Sequence, residues 1–154
     1  MAHPIDTRLE SLGITLPEAA TPAANYVPYV LVGDLLHVSG QLPGPAGAWT
    51  TGKLGADLDT AAGAQAAQAC AINLLAQAKA ACGGDWDRLV RLVKLVGFVN
   101  STPDFGEQPL VVNGASDFMV EALGDAGRHA RSAVSAASLP FGVAVEIEAI
   151  FQLR

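Results

Sequence analysis

Basic residues, cysteines and aromatic residues are all scarce in this chain of 154 residues. Lys and Arg number 9 against 15 Asp and Glu, and the resulting net charge of −6 disfavours binding to a nucleic-acid backbone or an anionic membrane surface. No stretch reaches the roughly 18 uninterrupted apolar residues of a membrane span. The N-terminus lacks a basic region followed by an apolar one. We therefore expect a soluble cytoplasmic protein that binds neither nucleic acid nor membrane.

The few cysteines and histidines give little support for a disulfide or a metal site. Cys70 and Cys82 fall in one predicted helix, where a rise of 1.5 Å per residue sets them about 18 Å apart, too far to bridge. His3, His37 and His129 are scattered, and no Cys-x-x-Cys or His-x-x-x-His spacing occurs. We expect no metal.

Hydrophobic periodicity predicts a single domain over residues 26–154, preceded by an N-terminal extension over residues 1–25. The extension holds a short helix, which Thr7 and Glu10 begin as a capping box, and a linker rich in Pro and Ala over residues 17–24. The pattern of apolar and polar residues is similar along the whole domain, which is long enough to bury a core.

The domain is predicted to be α+β, with elements in the order β-β-α-β-α-β-β. The strands are expected at residues 26–32, 35–39, 93–99, from Arg131 onward and 143–151, and the helices at 59–81 and 109–123, with one helical turn at 85–89. Gly33-Asp34 favours a hairpin between the first two strands. Gly83 and Gly124 end the two helices. The Ala-rich face of the first helix indicates close packing on a sheet.

The last predicted strand alternates between an apolar face and an acidic face. The apolar face consists of Val143, Val145, Ile147, Ala149 and Phe151, and the other face of Ala144, Glu146, Glu148 and Ile150. The first face is expected to join the core. A sheet with helices on one side leaves the second face in need of cover, which oligomerisation would supply.

Arg131 lies among small and apolar residues, where its charge has few ways to be satisfied. The guanidinium must reach solvent, pair with a carboxylate or bind a ligand. Composition alone favours a structural ion pair, with Glu146 as one possible partner, because buried charges are normally paired. The ligand alternative stays open, since the planar guanidinium matches a carboxylate bidentately.

A set of short motifs between Tyr26 and Leu153 has a characteristic order and spacing. The motifs are Ser39-Gly-Gln-Leu-Pro43, Gly97-Phe-Val-Asn100, Arg131-Ser-Ala-Val134, Leu139-Pro140 and Val145-Glu-Ile-Glu-Ala149. Together they resemble the RidA/YjgF family of enamine and imine deaminases, whose older names are endoribonuclease L-PSP and translation initiation inhibitor. Tyr26 keeps the separation from Ser39 that the family's site tyrosine has.

The resemblance implies both a fold and an assembly. The fold is chorismate-mutase-like, a mixed sheet with two helices on one face. The family's usual assembly is a homotrimer whose open sheet faces enclose a central barrel, and such an assembly would cover the Glu146 face.

The resemblance also implies an activity, the hydrolysis of reactive 2-imino and 2-enamino acids to 2-oxo acids and ammonia. Arg131 would hold the substrate carboxylate, while Glu146 and the main-chain carbonyl of Ala133 would orient the attacking water. The other implied substrate contacts are Tyr26, Ser39 and Asn113. Because the substrate is already an electrophile, no covalent nucleophile, metal or cofactor is required.

The chain departs from the family pattern at three places, and two of them, the N-terminal extension and the spacing of Asn113, leave a second reading open. The N-terminal extension is long and could partly cover the site, Ala133 replaces a frequent Cys, and Asn113 is one residue farther from Arg131. The alternative is a non-catalytic module that senses a small carboxylate on the same trimeric scaffold. His129 is a weaker acid/base candidate, on its titration range alone. Net charge opposes RNA cleavage.

Overall fold

The computed structural model of the protein describes residues 1–22 and 24–154, so one residue of the predicted linker, Ala23, lies outside the described residues. The elements are α1 (Pro4–Ser11), β1 (Tyr29–Val32), β2 (Leu35–Gln41), α2 (Thr60–Ala81), β3 (Leu89–Asn100), α3 (Gln108–Leu123), β4 (Ala130–Ala136) and β5 (Val145–Leu153). After α1, the order of strands and longer helices is the predicted one. The α+β fold class is confirmed.

The described residues form a mixed sheet of five strands in the order β1-β2-β5-β3-β4. All neighbouring pairs are antiparallel except β3 and β4, which are parallel. The strands β1 and β4 therefore form the two edges. A bulge interrupts β2 between Val38 and Gln41, where its pairing with β5 shifts register.

The helices α2 and α3 cover one face of the sheet. The five residues predicted for the apolar face of the last strand are all buried. Two glycines allow close approach: a Cβ on Gly97 would lie 2.7 Å from Val112 Cγ2, and one on Gly114 would overlap the main chain of Ala64. Among the described residues no helix is long and apolar enough to cross a membrane.

The sequence placed several element boundaries incorrectly. The N-terminal helix begins at Pro4, because His3 Nδ1 accepts a hydrogen bond from the Ile5 amide at 3.2 Å, so Thr7 lies inside the helix instead of capping it. The first strand begins at Tyr29, directly after Pro28, which has no N–H to contribute to the sheet. The third strand begins at Leu89 because Leu89 pairs with the far end of β5.

The start of β5 also differs from the predicted alternation. The strand begins at Val145, and the chain bends at Ala144. The Ala144 amide donates to the carbonyl of Thr50 at 3.0 Å, and its carbonyl accepts from the Asn100 amide at 2.9 Å. Ala144 is consequently buried and not on the open face of the sheet.

The N-terminal extension packs at the C-terminal ends of α2 and α3. Ile5 and Leu9 join the core, and the Trp86 indole N–H donates to Asp6 Oδ1 at 2.9 Å. This hydrogen bond, more than the nearby Lys79, holds the pKa of Asp6 below its usual value, against the opposing effect of burial. The extension thus packs on the helical layer, whereas Arg131 contacts Pro109 and Ser116 of α3.

The loops before α2 and before β5 meet through an aromatic pair. The rings of Trp49 and Phe141 stack with centroids 4.9 Å apart, and Phe141 stays 71% exposed. Phe141 has a φ of 59°, a left-handed conformation that is uncommon for a bulky residue. The Gly52 amide donates to the Gly142 carbonyl at 3.0 Å and ties the two loops together.

Candidate functional site

Arg131 is held in place by α3. It lies in the edge strand β4, and its side chain reaches the helix, where Nη1 donates to Ser116 Oγ and Nη2 to the Pro109 carbonyl, each at 3.1 Å. An arginine carries five N–H bonds. Since two are used in these contacts, the described residues leave three for a ligand. The guanidinium is therefore oriented by the fold without being saturated by it.

The structural ion pair that composition favours for Arg131 is not observed. Within the part of the chain that the structure describes, no carboxylate lies within 4.0 Å of its nitrogens. Glu146 in particular is on the opposite face of the sheet: Arg131 is in register with the core residue Leu95, whereas Glu146 alternates with the buried Val145 and Ile147. The half-buried Arg131 charge therefore has no counterion among the residues that the structure describes.

Asn113 and Ala133 lie beside Arg131. Helical spacing sets Asn113 on the same stripe of α3 as Pro109 and Ser116, the two residues that Arg131 contacts. Ala133 follows Arg131 by two positions, shares its face of β4 and packs against the core. We call Arg131, Asn113 and Ala133 the arginine half-site.

Tyr26 and Ser39 form part of a second group around the bulge in β2. The Ser39 hydroxyl donates to the Val27 carbonyl at 2.8 Å, and its amide donates to the Pro28 carbonyl at 2.9 Å. These bonds fix the segment that follows Tyr26. The Tyr26 side chain is 56% exposed and lies outside the strand in which it was predicted.

Glu146 belongs to the same group. Its carboxylate lies against Gly40, the residue after Ser39, in space that a Cβ on Gly40 would need. Partial burial, followed by repulsion from Glu148, raises the pKa of Glu146 above its usual value of 4.5. We call Glu146, Ser39 and Tyr26 the glutamate half-site.

The two half-sites do not meet within one chain. Glu146 on β5 and Ser39 on β2 are two and three strand spacings of about 4.8 Å, roughly 10 and 14 Å, from β4. Moreover, Arg131 faces the helices and Glu146 faces the open side of the sheet. The six predicted site residues therefore form two groups at different places on the surface.

Two further polar residues lie near the arginine half-site, Ser116 in contact with Arg131 and His129 in contact with Ser116, and sequence reasoning gave them little or no weight. Ser116 Oγ, which accepts from Arg131, lies 2.9 Å from His129 Nε2. Helical spacing from Pro109 and Asn113 could have indicated Ser116, but the sequence did not reveal which face of α3 meets β4. The described residues contain no cluster of three His, Cys, Asp or Glu suited to a metal ion, and both cysteines are free and buried.

The chain is similar to several known proteins over nearly its full length. It is 53% identical over 152 residues to Protein TCP17 of Trypanosoma cruzi, which covers 97% of this chain and 94% of that protein. The crystal structure of Atu1372 of Agrobacterium tumefaciens, a protein of unknown function, shares 52% identity with a TM-score of 0.92, covering 98% of this chain and 93% of that one. A more distant structure, E. coli TdcF with bound serine, shares 26% identity with a TM-score of 0.61 over 89% of this chain and 94% of that one.

The family itself is shown by a match to most of the sequence. Residues 6–150 match the family described as "YjgF/chorismate mutase-like, putative endoribonuclease". This match and the mixed sheet with two helices on one face agree with the resemblance carried by the short motifs. The chain therefore belongs to the YjgF/chorismate mutase-like family.

Proposed function

We propose that the protein hydrolyses 2-imino and 2-enamino acids to 2-oxo acids and ammonia. The observation that carries this proposal is the environment of Arg131. Its guanidinium is oriented by α3 and keeps three N–H groups for a ligand, and no described carboxylate neutralises its charge. Such a group is suited to bind a carboxylate bidentately. That TdcF was solved with serine, an amino acid with a carboxylate, supports this choice of ligand class.

In this proposal the reaction needs only an oriented water and proton transfer. With the carboxylate on Arg131, a water that hydrogen-bonds to Glu146 and to the Ala133 carbonyl adds to the C=N carbon. One water proton passes to Glu146 and then to nitrogen, which gives the carbinolamine. The hydroxyl proton then passes through Glu146 to nitrogen while the C=O bond forms and the C–N bond breaks, so that ammonia leaves. The raised pKa of Glu146 suits this exchange, because a carboxylate that is more basic than usual accepts a proton more readily.

The proposed site requires a second copy of the chain. Because Arg131 and Glu146 face opposite ways within one chain, we propose a homotrimer in which the arginine half-site of one subunit meets the glutamate half-site of the next. The open face of the sheet supports this assembly, because Val30, Val32 and Leu35 expose apolar surface beside it.

A coupled assay tests the activity. An amino-acid oxidase or threonine dehydratase generates the imine, and formation of the 2-oxo acid is followed with and without the protein. We expect acceleration over solvent hydrolysis that is lost in Arg131→Ala and kept in the control Arg154→Ala, an exposed arginine at the opposite end of β5 from Glu146. Equal rates with and without the wild-type protein would reject the proposal.

A non-catalytic role as a carboxylate sensor is the second candidate. The separation of the half-sites favours it, because Arg131 alone can bind a carboxylate whereas turnover also needs Glu146. Calorimetry with a stable 2-oxo acid separates the two candidates. A sensor binds the 2-oxo acid through Arg131 and shows no imine turnover.

A further inference from the structure

Ser116 links Arg131 to a histidine in a row of three hydrogen bonds. Arg131 Nη1 donates to Ser116 Oγ at 3.1 Å, Ser116 Oγ lies 2.9 Å from His129 Nε2, and His129 Nδ1 lies 2.6 Å from the Gly127 carbonyl. The members come from β4, from α3 and from the segment that joins α3 to β4. We call Arg131, Ser116 and His129 the relay.

The chemistry of the groups fixes the direction of each hydrogen bond when His129 is neutral. A carbonyl oxygen only accepts, so His129 Nδ1 carries the hydrogen that is donated to Gly127. His129 Nε2 is then an acceptor, and the Ser116 hydroxyl must donate to it. The Ser116 hydrogen is therefore turned away from Arg131 and from any ligand of Arg131.

Protonation of His129 reverses one of these bonds. In the imidazolium both ring nitrogens are donors, so Nε2–H donates to Ser116 Oγ. Ser116 Oγ then accepts from both Arg131 and His129, and its own hydrogen is released toward a new acceptor. An oxygen of a carboxylate bound to Arg131 would be near, because Ser116 Oγ lies 3.1 Å from Nη1.

We propose that a carboxylate bound to Arg131 binds together with a proton, which His129 takes up and which Ser116 converts into a hydrogen bond to the ligand. This inference rests on the proposed function insofar as Arg131 is the carboxylate anchor. It makes Ser116 a ligand contact and His129 a positioning residue that acts through Ser116. Neither assignment follows from the motifs of the sequence.

The charges around His129 favour such coupling. The charged residues on the elements that meet at His129 are Arg131 in β4, Arg91 in β3, which donates to the Arg128 carbonyl, Arg128 and Asp125 after α3, and Asp117 next to Ser116 in α3. Cations outnumber the carboxylates in this set. A bound anion therefore makes a second positive charge on the ring easier to hold, and the ring in turn strengthens binding of the anion.

His129 can also exchange protons with water. Its side chain is only half-buried. Hence the proton that accompanies the ligand can come from solvent while the ring keeps its contact with Ser116. The same proton would be close to the imine nitrogen, which sits on the carbon next to the substrate carboxylate.

Calorimetry with pyruvate as the probe tests the inference. Titrations in two buffers of different ionisation enthalpy measure the protons taken up on binding. We expect uptake of up to one proton by the wild type, and an affinity that weakens by about fivefold or more between pH 6 and pH 8. His129→Gln keeps a polar atom for Ser116 but cannot titrate, so it should bind pyruvate with no uptake and little pH dependence.

Two controls isolate the relay. His3→Asn removes a distant imidazole and keeps an acceptor for the α1 cap, so proton uptake should stay as in the wild type. Ser116→Ala should lose uptake even though His129 remains, whereas Ser116→Thr should restore it. A tautomer measurement by ¹⁵N NMR needs no ligand and should show hydrogen on Nδ1 of His129 at high pH.

The possible failures are distinguishable. Unchanged proton uptake in His129→Gln, no uptake in the wild type, or hydrogen on Nε2 of the neutral ring would overturn the relay and leave Arg131 as the carboxylate anchor. If Arg131→Ala bound pyruvate as tightly as the wild type, the proposed function would fail at its anchor. Absence of pyruvate binding by the wild type would reject both.

Discussion

The carboxylate of Glu146 occupies the space beside Gly40 that a Cβ at residue 40 would need. The backbone of Gly40 is outside the left-handed region, so the lack of a side chain, and not an unusual conformation, is what this position requires. The bulge in β2 brings Gly40 next to the strand that carries Glu146. The position of the proposed base thus depends on a residue with no functional group of its own.

Gly40→Ala should therefore lower activity more than stability. The added methyl meets the end of a flexible side chain, which can move away at small cost. We expect kcat/KM for imine hydrolysis to fall by about tenfold to 100-fold, because small misplacements of catalytic groups have effects of this size. The control Gly106→Ala adds a methyl with no atom within 4 Å and should leave kcat/KM unchanged. A large loss of Tm with normal kcat/KM would contradict the assignment.

Glu146→Gln should stabilise the protein at neutral pH. Since the folded-state pKa of Glu146 is raised above 4.5, its contribution to stability is fully present below about pH 4.5 and is lost as pH rises through the folded-state pKa. Removal of the charge should raise Tm by about 1–2 °C at pH 7, after allowance for solvent screening, and the gain should vanish near pH 4.

The matched variant for this prediction is Glu148→Gln. It removes the second cause of the raised pKa and leaves burial, the larger cause, in place, so its gain in Tm at pH 7 should be smaller. Thermal unfolding of both variants between pH 4 and pH 8 gives the comparison. A lower Tm for Glu146→Gln at pH 7 would show that the ionised carboxylate is stabilised by a partner.

Gly114→Ala should destabilise the protein although alanine favours helices. A Cβ at residue 114 would overlap the main chain of Ala64, which cannot rotate away, so α2 and α3 must separate. We expect a loss of about 1–3 kcal/mol in the free energy of unfolding, measured by urea denaturation. In Gly63→Ala the atoms nearest the methyl belong to the side chains of Leu54 and Val111, which can shift, so a smaller loss is expected. Equal losses would argue against a backbone contact between the helices.

The proposed assembly predicts complementation between inactive variants. Arg131→Ala and Glu146→Gln subunits each lack one half-site, so separate preparations should be inactive while mixed trimers recover part of the activity. Reversible dissociation followed by reassembly of an equimolar mixture provides the test. If mixing restores no activity, the half-sites do not meet between chains. A molar mass near 15.8 kDa by light scattering, the mass of a monomer, would exclude the trimer outright.

The sequence predicted the fold well wherever a local signal determines the structure. The alternation in β5 identified its buried face, and Asp59 and Gly83 mark the ends of α2 as expected. Boundaries failed where a distant partner decides them. Leu89 is a strand residue because it pairs with Leu153, and Ala144 is buried because Thr50 and Asn100 hold it.

The candidate site was less accessible to sequence reasoning. The motifs name Arg131 and Glu146, but their spacing along the chain does not reveal that they face opposite sides of the sheet. Strand order decides this, and strand order depends on contacts between residues far apart in sequence. Ser116 was missed for the same reason, since only the packing of α3 on β4 brings its hydroxyl to Arg131.

The two tryptophans serve as natural optical reporters of separate regions. The Trp86 indole donates to Asp6 in the N-terminal helix, with Lys79 Nζ 5.3 Å from the ring centre, whereas Trp49 stacks on Phe141 at the loops near β5. Release of the helix would expose the Trp86 indole to water and shift its emission to longer wavelength. Variants that keep a single tryptophan would therefore report either docking of the N-terminus or movement of the loops, without an attached dye.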